Sequence, residues 1–154
     1  MYEVKVQQEP ERQLVGVPHR GSYNQIDGAF RTLFDKLIYR GLMPKTKETI
    51  GIYFTDPRAV PEDEMLCCAA TSIKDDFPKQ EDLRHFRIQG GEYAVLTHQG
   101  PYDGLGKAHN YLQEEWLPQS GREARAAPPF EVYVNSPFNA EPDDLVTEIY
   151  LPLK

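Results

Sequence analysis

Tyr2, Val4 and Val6 alternate with Glu3, Lys5 and Gln7, the period-two pattern of a half-buried strand. Glu9-Pro10-Glu11-Arg12 predicts a turn, and Gln13–Val17 a second short strand ended by Pro18. From Tyr23 to about Arg40 the period lengthens: Ile26, Ala29, Phe30, Leu33, Phe34, Leu37 and Ile38 recur at helical spacing. Ser22 with Gln25 forms a weak capping box at its start, and Gly41 and Pro44 close it. Strand patterning returns at Thr49–Phe54 and Met65–Ser72, separated by Thr55-Asp56-Pro57 and the acidic turn Pro61-Glu62-Asp63-Glu64. After a polar stretch, Asp75–Asp82, come strands at Leu83–Ile88 and Glu92–His98 around Gly90-Gly91. A second helix opens at Gly100-Pro101-Tyr102 and carries Leu105, Ala108, Leu112 and Trp116; it ends over Pro118–Arg125. Strands at Phe130–Asn135 and Leu145–Leu151 complete the pattern.

The second half repeats the first. His19-Arg20-Gly21-Ser22-Tyr23 returns as His98-Gln99-Gly100-Pro101-Tyr102, 79 positions later. Gly51-Ile52-Tyr53-Phe54-Thr55-Asp56-Pro57 returns as Glu131-Val132-Tyr133-Val134-Asn135-Ser136-Pro137, 80 positions later, so one residue is inserted between helix and strand. Each half reads strand, helix, strand, strand, with one further strand before it. The expectation is an α+β fold over residues 1–154, with repeat halves near 1–73 and 83–154, pseudo-twofold symmetry and a ligand cleft where the halves meet.

The repeat also breaks. Gly51 becomes Glu131, Cys68 becomes Glu148 and Ala70 becomes Tyr150: small residues give way to two carboxylates and a phenol. Alternation puts Glu131, Tyr133 and Asn135 on one face of their strand and Phe130, Val132 and Val134 on the other, which is plain core. On a solvated face Glu131 is ordinary surface. In a cavity it is a costly buried charge that needs a cation or a donor. The second half is therefore expected to carry the chemistry.

Composition narrows the classes. The net charge is −7, and the basic residues are scattered, which argues against a nucleic-acid groove. The adjacent Cys67-Cys68 pair suits reduced core thiols of a cytoplasmic protein, because neighbouring strand residues point to opposite faces. There is no zinc spacing, no signal-like segment and no apolar run long enough for a membrane span. No Ser or Cys sits in a nucleophile elbow, and no helix follows Gly90-Gly91 to make it a phosphate loop. His19 and His98, at equivalent strand ends, read as structural hydrogen-bonding groups. Trp116 suits core packing as well as a cleft wall, and Tyr53, Tyr133 and Tyr150 suit half-buried strand positions.

Five segments, in order, are similar to one known family: Gly90–Val95, His98–Tyr102, Trp116-Leu117-Pro118, Pro129–Asn135 and Thr147–Leu153. Together they resemble the GyrI-like domain, found in the DNA gyrase inhibitory protein and in the effector-binding domains of AraC-type and multidrug-sensing activators. The resemblance implies two βαββ-type repeats with a ligand cleft between them. It also implies a strand-borne glutamate that meets lipophilic cations among aromatic rings, and Glu131 occupies that position. Unlike the activators, the chain has no room for a helix-turn-helix module, so a stand-alone copy is expected. Expected ligand-binding residues are Glu131, Tyr133, Glu148, Tyr150, Trp116, Tyr53 and Tyr102, with no metal, no cofactor and no assigned catalytic residue. The expected partner is a small aromatic or cationic molecule. The alternatives are inhibition of DNA gyrase by protein contact, and hydrolysis of cyclopropane-bearing toxins with Glu131 or Glu148 as general base.

Overall fold

Hydrogen bonding follows the changes of period. The computed structural model describes residues 2–56 and 59–154. Its strands are β1 (Glu3–Glu9), β2 (Arg12–Arg20), β3 (Thr46–Tyr53), β4 (Leu66–Ile73), β5 (Arg84–Ile88), β6 (Gly91–Gln99), β7 (Phe130–Tyr133) and β8 (Val146–Pro152). Helix α1 spans Asp27–Tyr39, α2 Leu105–Asn110 and α3 Leu117–Ser120, with a π-helical stretch, Tyr111–Trp116, joining the last two. Pro57, which ends the first strand-Pro motif, lies outside the described residues.

The chain forms two compact units, residues 11–89 and residues 90–154 joined by β1. Each carries four antiparallel strands and a helix: β3-β4-β2-β5 with α1, and β7-β8-β6-β1 with the α2–α3 segment. The duplication holds strand by strand. Ile50 faces Ala70 as Phe130 faces Tyr150, Val15 faces Thr71 as Ala94 faces Leu151, and Arg12 faces Ile88 as Gly91 faces Glu9. The turns repeat as well: Gly21 N–H donates to the Met65 carbonyl and Gly100 N–H to that of Leu145, both at 2.8 Å.

The strand that precedes each copy, however, pairs with the other copy. β1 is two residues from β2 in sequence but lies against β6, and β5 lies against β2. A two-residue hairpin wants positive φ at its centre, whereas Pro10 is locked at negative φ and no non-glycine residue described here is positive. The chain therefore cannot fold β1 straight back onto β2.

The inserted residue sits inside the helix, not between helix and strand. Ile26, Ala29 and Leu33 recur as Leu105, Ala108 and Leu112 at the 79-residue offset. The left-handed glycines that end the helices, Gly41 (φ 69°) and Gly121 (φ 73°), are 80 apart. The extra residue is absorbed between Leu112 and Gly121, where the π-helical stretch lies. Pro118 accordingly sits in the first turn of α3, not beyond a helix end. Two other boundaries differ. A 3₁₀ turn, Tyr23–Gln25, separates Ser22 from α1, so the N-cap position of α1 is Ile26 and not Ser22. β2 runs through Pro18; β5 covers only Arg12–Gly16, leaving one flank of β2 open where a residue without N–H is tolerated.

Each helix lays its apolar stripe on its own strands. Leu33 and Leu37 pack with Val15, Ile73 and Leu83, and Leu105, Ala108 and Leu112 pack with Ala94, Leu96, Ile149 and Leu151. Truncating such a leucine to alanine costs about 2–5 kcal/mol. Cys67 and Cys68 are buried thiols outside any disulfide, and burial pushes the Cys68 thiol up to about 11.

Candidate functional site

β7 is buried on both faces: Phe130, Glu131 and Val132 are 0, 2 and 5% exposed. The pleat turns Glu131 and Tyr133 toward α2 and sends Phe130 and Val132 the other way. A carboxylate this deep loses its hydration and must recover it from protein donors. Glu131 has one on each oxygen. The Tyr133 hydroxyl donates to Oε1 at 2.6 Å, and Nε2 of His109, on α2, lies 2.6 Å from Oε2. Because a carboxylate accepts, Nε2 is the nitrogen that carries the proton in this contact. The ring of Tyr102 stands edge-on to Tyr133 at 5.6 Å and 66°. Trp116 packs against the core beneath the helix, in the same cluster as Tyr133.

The other unit has different residues at two of these positions. At the equivalent positions it has Phe30 for His109, Gly51 for Glu131, Tyr53 for Tyr133 and Tyr23 for Tyr102. The tyrosine pair is kept, with Tyr23 and Tyr53 edge-on at 4.8 Å and 61°. Where one unit has phenylalanine and glycine, the other has an imidazole and a carboxylate that hydrogen-bond to each other.

The structure divides the expected site. Glu131, Tyr133 and Tyr102 come together, with Trp116 on the same core cluster. Glu148 and Tyr150 do not join them. Opposed residues of adjacent strands share a face, and Glu148 opposes Val132 while Tyr150 opposes Phe130. Both therefore lie on the face away from α2. There Tyr150 stacks on Phe130 (4.6 Å, 7°) with Tyr93 edge-on to both, and the Tyr150 hydroxyl is 3.3 Å from Glu148 Oε1. Arg125 lies 5.1 Å from the centre of the Tyr93 ring. That face is an aromatic cluster, not plain core. Tyr53 belongs to the other unit, against Tyr23.

His109 was not among the expected residues, although the sequence carries two signals for it. It is a polar residue on an apolar helical stripe, four after Leu105 and three before Leu112, and it falls at Phe30 when the repeat is carried through the helix. His19 and His98 are structural: their Nε2 atoms reach the Ser22 and Pro101 carbonyls at 3.0 and 3.1 Å, equivalent bonds in the two turns. On the outer side of the second helix, Tyr2, Lys107, Asn110, Tyr111, Glu114 and Glu115 line an open groove of about 300 Å³. Among the described residues, no group of three His, Cys, Asp or Glu side chains could hold a metal ion. No helix among them is long and apolar enough to cross a membrane.

Over residues 2–154 the chain matches the family described as the GyrI-like small molecule binding domain. The chain belongs to that family. Among GyrI-like relatives, the probable transcriptional regulator YgiV of Escherichia coli K12 is 26% identical over 139 residues, 89% of this chain and 87% of that protein. A DNA gyrase inhibitor of Erwinia billingiae is 31% identical over 108 residues, 68% of each chain. The fold recurs in the EcmrR–DNA complex (TM-score 0.83, 18% identity), covering 99% of this chain and spanning only 57% of the EcmrR chain. It recurs also in SAV2435 bound to tetraphenylphosphonium (TM-score 0.69, 17% identity), covering 99% of this chain and 94% of that one.

Proposed function

We propose that this GyrI-like protein binds a small aromatic or lipophilic cationic molecule, with Glu131 as its negative pole and the rings of Tyr133, Tyr102 and Trp116 as walls. One observation carries the reading: a carboxylate 2% exposed, hydrogen-bonded by a phenol and an imidazole beside a tyrosine ring. Burial strengthens its pull on a charge brought close to it, and aromatic faces add cation–π attraction. The family match and the tetraphenylphosphonium bound to SAV2435 support the same ligand chemistry.

The test is calorimetric titration of wild type and Glu131→Gln with tetraphenylphosphonium and with neutral triphenylphosphine oxide. Glu131→Gln keeps the shape and removes the charge. The cation should lose about 1–3 kcal/mol, roughly 5- to 150-fold in Kd, and the neutral compound much less. Equal losses for both ligands, or none for either, would refute the assignment.

The imidazole on Glu131 favours one second reading, hydrolysis. A carboxylate–imidazole pair can take a proton from water attacking a bound electrophile. Its test is incubation of a cyclopropane-bearing electrophile in heavy-oxygen water, with mass spectrometry of the product. Label incorporated by wild type and lost in Glu131→Gln supports turnover; unchanged starting material removes it.

A further inference from the structure

We infer that His109 is the specificity-determining residue of this site: it is Glu131's built-in counter-ion, and a cationic ligand is admitted in exchange for its proton. The inference rests on the cation-binding reading above and adds the rule by which the site chooses charge.

Three observations lead to it. His109 Nε2 lies 2.6 Å from Glu131 Oε2, while the Glu131 side chain is only 3% exposed. Imidazole is the side chain whose ordinary titration falls between about pH 5 and 8, so this contact can switch between neutral and cationic. The pair also differs together between the units: the other has Phe30 and Gly51 at the two positions, so the same repeat forms there without either group. A carboxylate introduced alone would be an uncompensated buried charge; with His109 protonated, the pair is neutral.

A cation placed against Glu131 changes that balance. Imidazolium and ligand would then share one carboxylate at close range, and like charges there repel strongly. The imidazolium gives its second ring proton to solvent and keeps the Nε2–H that bonds Glu131. The site ends with one carboxylate and one ligand cation. The imidazole side chain is 20% exposed, which leaves it a route to water. A neutral ligand asks for no such release. Of this unit's titratable groups, Tyr133 bonds Glu131 and Tyr102 stands edge-on to Tyr133. Lys107 and Glu114, on the same helical segment, are exposed and line the outer groove, and Glu148 is on the other face of the strands.

The experiment is calorimetric titration of the full chain with tetraphenylphosphonium, near pH 6.5, in buffers of different ionisation enthalpy, which counts protons released. Wild type should release a measurable fraction of one proton per cation bound. Release should fall toward zero at pH 9 and in His109→Phe, which restores the residue of the other copy. Triphenylphosphine oxide should release none. Binding without release in wild type, or release unchanged in His109→Phe, overturns the exchange alone. A wild type that takes no tetraphenylphosphonium overturns the reading of the preceding subsection and the exchange with it.

Discussion

Replacing His109 by phenylalanine removes a donor from Glu131 and puts an apolar ring over a carboxylate that water barely reaches. A hydrogen bond to a charged group contributes about 1.5–3 kcal/mol, and breaking a buried pair by removing one partner costs about 3–5 kcal/mol. The imidazole is one-fifth exposed and the Tyr133 bond remains, so the lower part of that range applies, about 3 kcal/mol. At roughly 2–4 °C per kcal/mol for a chain of this size, the melting temperature should fall by about 6–12 °C. The decisive comparison is the double variant His109→Phe/Glu131→Gly, which installs the pair of the other unit. It loses the carboxylate that the single variant strands. It should therefore be more stable than the sum of the two single changes by at least about 1.5 kcal/mol, the coupling expected of contacting residues. Urea unfolding followed by Trp116 fluorescence reports on this unit, because Trp116 is the chain's only tryptophan. Additivity within about 0.5 kcal/mol would refute the claim that the two residues sustain each other.

Other consequences can be checked independently. Burial pushes the Glu48 carboxyl up, but the Arg12 guanidinium and the Ser72 hydroxyl outweigh it and hold the group below its ordinary value. Its folded pKa is depressed, so its contribution is present above the unfolded value and lost as pH falls through the folded one; with the side chain over one-third exposed and screened by solvent, Glu48→Gln should destabilise at pH 7 by no more than about 1 kcal/mol and match wild type in acid melts. Cys68, with its thiol at about 11, should resist alkylation at pH 8 until the protein is unfolded, and mass spectrometry would show it. Leu33→Ala, at a fully buried position beneath α1, should cost about 2–5 kcal/mol in urea melts.

How much of this could be read from the sequence varied with the range of the interaction. Strands and helices followed from local periodicity, and the His-x-Gly-x-Tyr echo fixed the repeat because matching turns need matching residues. Glu131 stood out as a charge where the other copy has glycine. Glu148 and Tyr150 stood out by the same test yet joined another cluster, because breaking the repeat says nothing about facing. The strand register does, and residues 148 and 150 oppose 132 and 130. His109 was missed because the repeat was compared at the turn and strand motifs alone, although the 79-residue offset that relates the turns also takes Phe30 to His109. The exchange of β1 and β5 had no local signal; strand partners far apart in sequence are chosen by the assembled sheet.

That exchange sets a rule for cutting the molecule. A break at the polar loop near residue 80 looks as if it should release two halves, one per copy. Instead, one fragment would keep β1 and the other would keep β6, its partner, while β2 and β5 would be parted in the same way. Each fragment would hold a strand it cannot use and lack the one that covers its edge, which is the condition for aggregation. The pieces should be recovered only when produced together, as an obligate complementing pair. A circular permutant opened between β1 and β2, with the old termini joined, would reunite β1 with its own unit in sequence and would be the form in which the two copies could be studied apart.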